Sequence, residues 1–73
     1  MNLESFIDNF KDQLEDNNVS ITGETKFKDL DSWDSLTTML VIGMVKTDYE
    51  KDISATEISD CDTVLDLFNH INS

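Results

Sequence analysis

Apolar residues at Leu3, Phe6, Ile7, Phe10 and Leu14 recur at steps of three and four, which lays one hydrophobic stripe along a helix. Asn2 stands where an N-cap belongs, and Glu4 and Asp8 lie toward the positive end of that helix's dipole. The pattern runs out near Asp16, Asn17 and Asn18. From Asn17 to Trp33 no period is clear, and Thr22-Gly23 marks a turn. Val19, Ile21, Phe27 and Leu30 can pin this long segment onto the helices. It therefore reads as a packed connection, with a short turn around Lys26 to Asp29.

A second helix is predicted to open at Asp34-Ser35, with Asp34 capping the first free amides. It runs through Leu36, Met39, Leu40, Val41, Ile42, Met44 and Val45 toward Tyr49. These side chains cover nearly the whole helical circumference. A helix of that kind is central to its fold or lends one apolar face to a partner. Gly43 costs it roughly 1 kcal/mol in helix propensity relative to alanine, which suggests a close approach at that point. Ser54 and Glu57 have capping-box spacing ahead of a short helix containing Ile58. Asp62 is placed to cap a last helix, where Val64, Leu67, Phe68 and Ile71 share a stripe. The expected fold is all-α: a four-helix bundle of three longer helices and one short one, with a long first loop.

Composition supports that reading and narrows the partners. A chain of 73 residues makes one small domain, 1–73, too small for a sizeable enclosed active site. It has no proline and only two glycines, which favours helices over a turn-rich β fold. Sixteen acidic residues face five lysines, for a net charge of −11. Such a surface repels nucleic acid and anionic lipid and attracts basic patches on proteins. One cysteine, Cys61, excludes an internal disulfide and fits a reducing cytoplasm. No signal peptide is read at the N-terminus, and the apolar run from Met39 to Val45 is too short to cross a bilayer. The expectation is a soluble, cytoplasmic monomer.

Asp34-Ser35-Leu36 is the segment that can carry chemistry. A phosphodiester on Ser35 would place an anion beside free amides at the start of the most apolar helix. By itself the tripeptide is weak, because an ordinary first-turn serine has the same neighbours. Its surroundings are more specific: a long loop, D-S-L, an apolar helix, Ile53, a short capped helix, then Thr63-Val64 and an amphipathic helix ending in Ile71.

This arrangement resembles the acyl carrier proteins over essentially the whole chain. The resemblance implies a bundle of acyl-carrier type, able to shelter an acyl chain between its helices. It implies 4′-phosphopantetheine, derived from coenzyme A, attached covalently to Ser35, with Asp34 and Leu36 flanking it for the phosphopantetheinyl transferase. Acyl intermediates would then be held as thioesters and passed among acyl-transferring and synthase enzymes. The chain itself would be no enzyme, and it shows no nucleophile, base and oxyanion constellation of its own.

Fatty-acid carriers usually show acidic residues on the exposed face of the second helix. Here Thr37, Leu40, Lys46 and Thr47 stand at those positions, and the acids gather before the helix at Asp29, Asp31 and Asp34 and after it at Asp48, Glu50 and Asp52. That departure points toward a specialised acyl or polyketide-type pathway beside fatty acid biosynthesis. The residues before Ser35, Asp31 to Asp34, lack the glycine pair usual in peptidyl carriers. Trp33, Thr37, Leu40 and Met44 are the candidate partner surface. For Trp33 the competing role is anchoring the loop on the core. Met39 and Met44 are read first as core, with one of them available to an acyl chain or a partner.

Cys61 reads as a small buried hydrophobe, and His70 as a surface residue near a helix C-terminus with no catalytic or metal role. The acidic clusters lack the D-x-D-x-D-G pattern of a calcium loop, so no metal is expected. Two other functions stay open: a D-alanyl or amino-acyl carrier with the same arm, and an acidic interaction module that blocks a basic site. The last has no need of D-S-L at a helix start.

Overall fold

The computed structural model describes residues 2–14 and 20–72. Helix α1 (Leu3–Lys11) is capped by Asn2, whose Oδ1 accepts the Ser5 amide at 2.8 Å. It stops at Lys11, before the apolar pattern does. The Gln13 and Leu14 amides donate back to the Phe10 and Lys11 carbonyls, tightening the chain into a turn that still buries Leu14. The expected end at Asp16 to Asn18, and the anchoring role of Val19, fall outside the described residues.

From residue 20 onward the long connection is packed, as its scattered apolar residues predict. The Thr25 amide closes a turn on the Thr22 carbonyl, and a 3-10 turn forms over Phe27–Asp29. Phe27 is buried against Phe10, and Ile21 and Leu30 lie half-buried on the core. Lys28 reaches the Ser59 carbonyl and approaches Asp62, tying the turn to residues 59–62.

Helix α2 (Ser35–Tyr49) follows, then the short α3 (Ala55–Ser59) and α4 (Val64–Asn72). Among the described residues these four helices and the 3-10 turn are the only regular elements, so the fold is the all-α bundle that the periodicity predicts. Helix α1 packs on α2 and α4, and α2 packs on α3. Phe6, Phe10, Val41, Val45, Ile58, Val64, Leu67 and Phe27 are essentially inaccessible and form the centre of the core. Phe6 touches the rings of Phe10, Tyr49 and Phe68, joining α1 to α2 and α4.

Two local expectations need correction. The cap of α4 is Thr63, not Asp62: the Thr63 hydroxyl accepts the Asp66 amide at 3.1 Å, and Asp66 Oδ2 accepts the Thr63 amide in return. Both residue types can cap. The choice is made by the loop, whose Thr25 and Gly23 carbonyls accept the Val64 and Leu65 amides at 3.0 and 2.8 Å. Those bonds fix where the first turn of α4 begins.

The second correction concerns glycine. A Cβ on Gly43 would meet nothing within 4 Å, so no close approach inside the protein explains it. The close approach is at Gly23, where a Cβ would sit 3.3 Å from Leu3 Cδ2 and 3.5 Å from Leu65 Cβ. Gly43→Ala is accordingly expected to stabilise the protein by about 1 kcal/mol, the helix-propensity difference, and to raise the urea midpoint. An unchanged or lower midpoint would show that Gly43 serves the fold in a way its surroundings do not reveal.

Candidate functional site

The start of α2 is organised by Asp34. Its backbone is extended, and its Oδ1 accepts the Thr37 amide at 2.8 Å. The Thr37 hydroxyl lies 3.0 Å from the same oxygen and 3.2 Å from the Ser32 carbonyl, so it ties the cap to the incoming loop. These bonds, the Thr37 amide foremost and then its hydroxyl, hold the Asp34 carboxyl below the usual carboxylate range. Asp34 therefore stays ionised.

Ser35 stands at the first helical position and is exposed. Its hydroxyl makes no hydrogen bond to any described residue. Nearby serines differ. The Ser32 hydroxyl is buried and finds no partner among the described residues, and the Ser54 hydroxyl accepts the Glu57 amide as the cap of α3. Of these three, Ser35 alone offers an unoccupied hydroxyl to an approaching enzyme. An anion bonded there would sit at the positive end of a helix 15 residues long.

Leu36 is exposed beside it, as a flanking recognition residue would need to be. The four candidates for a partner surface separate. Leu40 faces outward. Thr37 is only 3% exposed and Met44 only 6%, so both belong to the interior and are corrected here. Thr37 can be buried because its hydroxyl is satisfied, and Met44 joins the core cluster. Trp33 is half-buried: its ring stacks on Phe10 at 5.8 Å and meets Phe27 edge-on at 4.9 Å. It anchors the loop that delivers Asp34 to the helix start. Met39, read first as core, is exposed instead and joins Leu36 and Leu40 on the outer side of α2.

The sequence matches the family model described as "Phosphopantetheine attachment site" over residues 4–71. The chain is a member of the phosphopantetheine-attachment family. Members carry 4′-phosphopantetheine covalently, and their domain is a carrier rather than a catalyst. Phosphopantetheinyl transferases and acyl-handling enzymes are the partners such a carrier implies. No curated protein and no solved structure matches the chain significantly. The exposed, unbonded hydroxyl of Ser35, at a capped helix start, fits a covalent phosphodiester.

Elsewhere the carrier's polar side chains are engaged structurally. Glu57 Oε2 lies 2.7 Å from His70 Nε2, and this hydrogen bond above all lowers the Glu57 carboxyl while joining α3 to α4. Lys46 pairs with Asp52 at 2.7 Å across the end of α2. Cys61 is buried, donates to the Glu57 carbonyl at 3.4 Å, and has its thiol pushed up by burial and then by the Asp66 carboxylate. A thiol held in that way packs rather than reacts. Among the described residues no group of three or more His, Cys, Asp or Glu could hold a metal ion. No helix among them is long and apolar enough to cross a membrane.

Proposed function

We propose that Ser35 bears the 4′-phosphopantetheine and that the protein is an acyl carrier serving a specialised acyl pathway. The observation that carries this reading is the exposed, unbonded Ser35 hydroxyl at the Asp34-capped start of α2. When attached, the group supplies a terminal thiol on a flexible arm, which holds acyl groups as thioesters.

The chain's own residues do the positioning. Asp34 completes the cap through the Thr37 amide, Thr37 fastens that cap to the loop, and Trp33 fastens the loop to α1. The attachment point is thereby rigid while the arm is free. A specialised pathway is supported by the exposed Leu40, Lys46 and Thr47 of α2, which stand where a fatty-acid carrier usually carries acids.

Incubation with coenzyme A and a phosphopantetheinyl transferase is expected to add one phosphopantetheine, and fragmentation of the intact protein should place it on Ser35. An adduct on Ser32 or Ser54, or no adduct across several transferases, would overturn the reading.

A further inference from the structure

The sulfur atoms of Met39, Met44 and Cys61 lie in unlike surroundings. Met44 is 6% exposed and belongs to the core. Cys61 is 7% exposed, and burial, then the Asp66 carboxylate, keeps its thiol protonated and unreactive. Met39 is 68% exposed, more open than Leu36, Leu40 or Leu65. Its neighbours Leu36 and Leu40 are exposed as well, so a dissolved reagent reaches the Met39 thioether directly.

Position matters as much as exposure. Met39 stands four residues after Ser35, one turn along the same face of α2 and about 6 Å along its axis. Long side chains in helices lean toward the N-terminus, which brings the thioether toward the turn that carries Ser35. An enzyme that reaches the Ser35 hydroxyl therefore passes over Met39.

We propose that Met39 is a site of reversible oxidation by peroxides, and that its sulfoxide hinders reactions at Ser35. The proposal rests on Ser35 as the attachment point. In the oxidation step a sulfur lone pair attacks one oxygen of the peroxide. The O–O bond breaks, an S–O bond forms, and water or an alcohol leaves. Sulfur loses two electrons and the peroxide gains them. A peroxide is uncharged, so a protein of net charge −11 does not repel it. Return requires a dithiol, which becomes a disulfide while the oxygen departs as water; methionine sulfoxide reductases perform this step.

The sulfoxide turns a flexible apolar side chain into a polar one. A partner that covers it must strip water from the new oxygen without offering a donor in return. The fold itself should be indifferent, because Met39 takes no part in the core.

The test treats the apo protein with hydrogen peroxide, destroys the excess with catalase, and maps the product by fragmentation. One oxygen should appear on Met39 while Met44 and Cys61 stay unchanged. Fragmentation also separates any oxygen on Met1, which lies outside the described residues. Loading from coenzyme A by a phosphopantetheinyl transferase is then followed by intact mass. The oxidised protein should show kcat/KM about tenfold lower, equivalent to about 1.4 kcal/mol, with its circular dichroism and urea midpoint unchanged. A methionine sulfoxide reductase supplied with dithiothreitol should restore the rate. Met39→Leu should load at one rate before and after peroxide, and Met39→Gln should load slowly without it.

Oxygen on Met44 or Cys61 ahead of Met39 would overturn the site. Equal loading of oxidised and untreated protein, or inhibition that persists in Met39→Leu, would overturn its effect and leave the Ser35 assignment standing. No loading of the untreated wild type would overturn the Ser35 assignment and the effect on loading together.

Discussion

Ser35→Ala is expected to take up no phosphopantetheine from coenzyme A under conditions that load the wild type completely. The loss should be total because the substitution removes the oxygen that would form the phosphodiester. It should also be clean. Ser35 is exposed, its hydroxyl bonds no described residue, and alanine is the best helix former at such a position. The Asp34 cap acts on the Thr37 amide and does not pass through Ser35. The variant should therefore melt within about 0.5 kcal/mol of the wild type, as surface substitutions usually do. Intact mass and a urea melt on the same sample check both halves. Residual loading of the variant would place an attachment point elsewhere, and a large loss of stability would mean that Ser35 has a structural role.

Phe6→Ala is expected to have the largest effect on folding. Phe6 is fully buried and holds Phe10, Tyr49 and Phe68 at ring-centroid distances of 6.2, 5.7 and 5.5 Å. It is thus where α1, α2 and α4 meet. Truncating a buried phenylalanine costs about 3–5 kcal/mol, from lost transfer energy and the cavity left behind. A domain of this size has a total stability of only about 4–11 kcal/mol, at roughly 0.05–0.15 kcal/mol per residue. The variant should be marginal at room temperature, and its urea midpoint should fall by a large fraction of the wild-type value. A cost below about 1.5 kcal/mol would show that the neighbouring rings close over the gap. Leu36→Ala provides the contrast. A leucine on the outer face of α2 should change stability little, although by composition it resembles a core residue.

That contrast between Phe6 and Leu36 marks what each level of organisation settles. Local chemistry is legible in the chain itself. Asn2, Asp34 and Ser54 are caps because a short polar side chain beside a helical pattern can accept a first-turn amide, and each does so. The stripes of α1 and α4 are likewise legible, since apolar residues at helical spacing admit one buried side. Ser35 could be singled out for the same reason: its place at a helix start follows from its neighbours in sequence. Helix α2 is different. Its apolar residues run all round, so periodicity carries no information about which of them face inward. Packing of α1 and α3 against one side decides it, taking Val41, Met44 and Val45 in and leaving Leu36, Met39 and Leu40 out. Thr37 goes inside against its polarity because Asp34 and the Ser32 carbonyl satisfy its hydroxyl. Thr63 prevails over Asp62 as a cap because loop carbonyls more than thirty residues away accept the next two amides. Which glycine stands in a crowded place is decided in the same way. Gly23 and Gly43 are alike in sequence, but only the first has another helix's side chains against it, because contacts between distant segments exist only once the chain has folded.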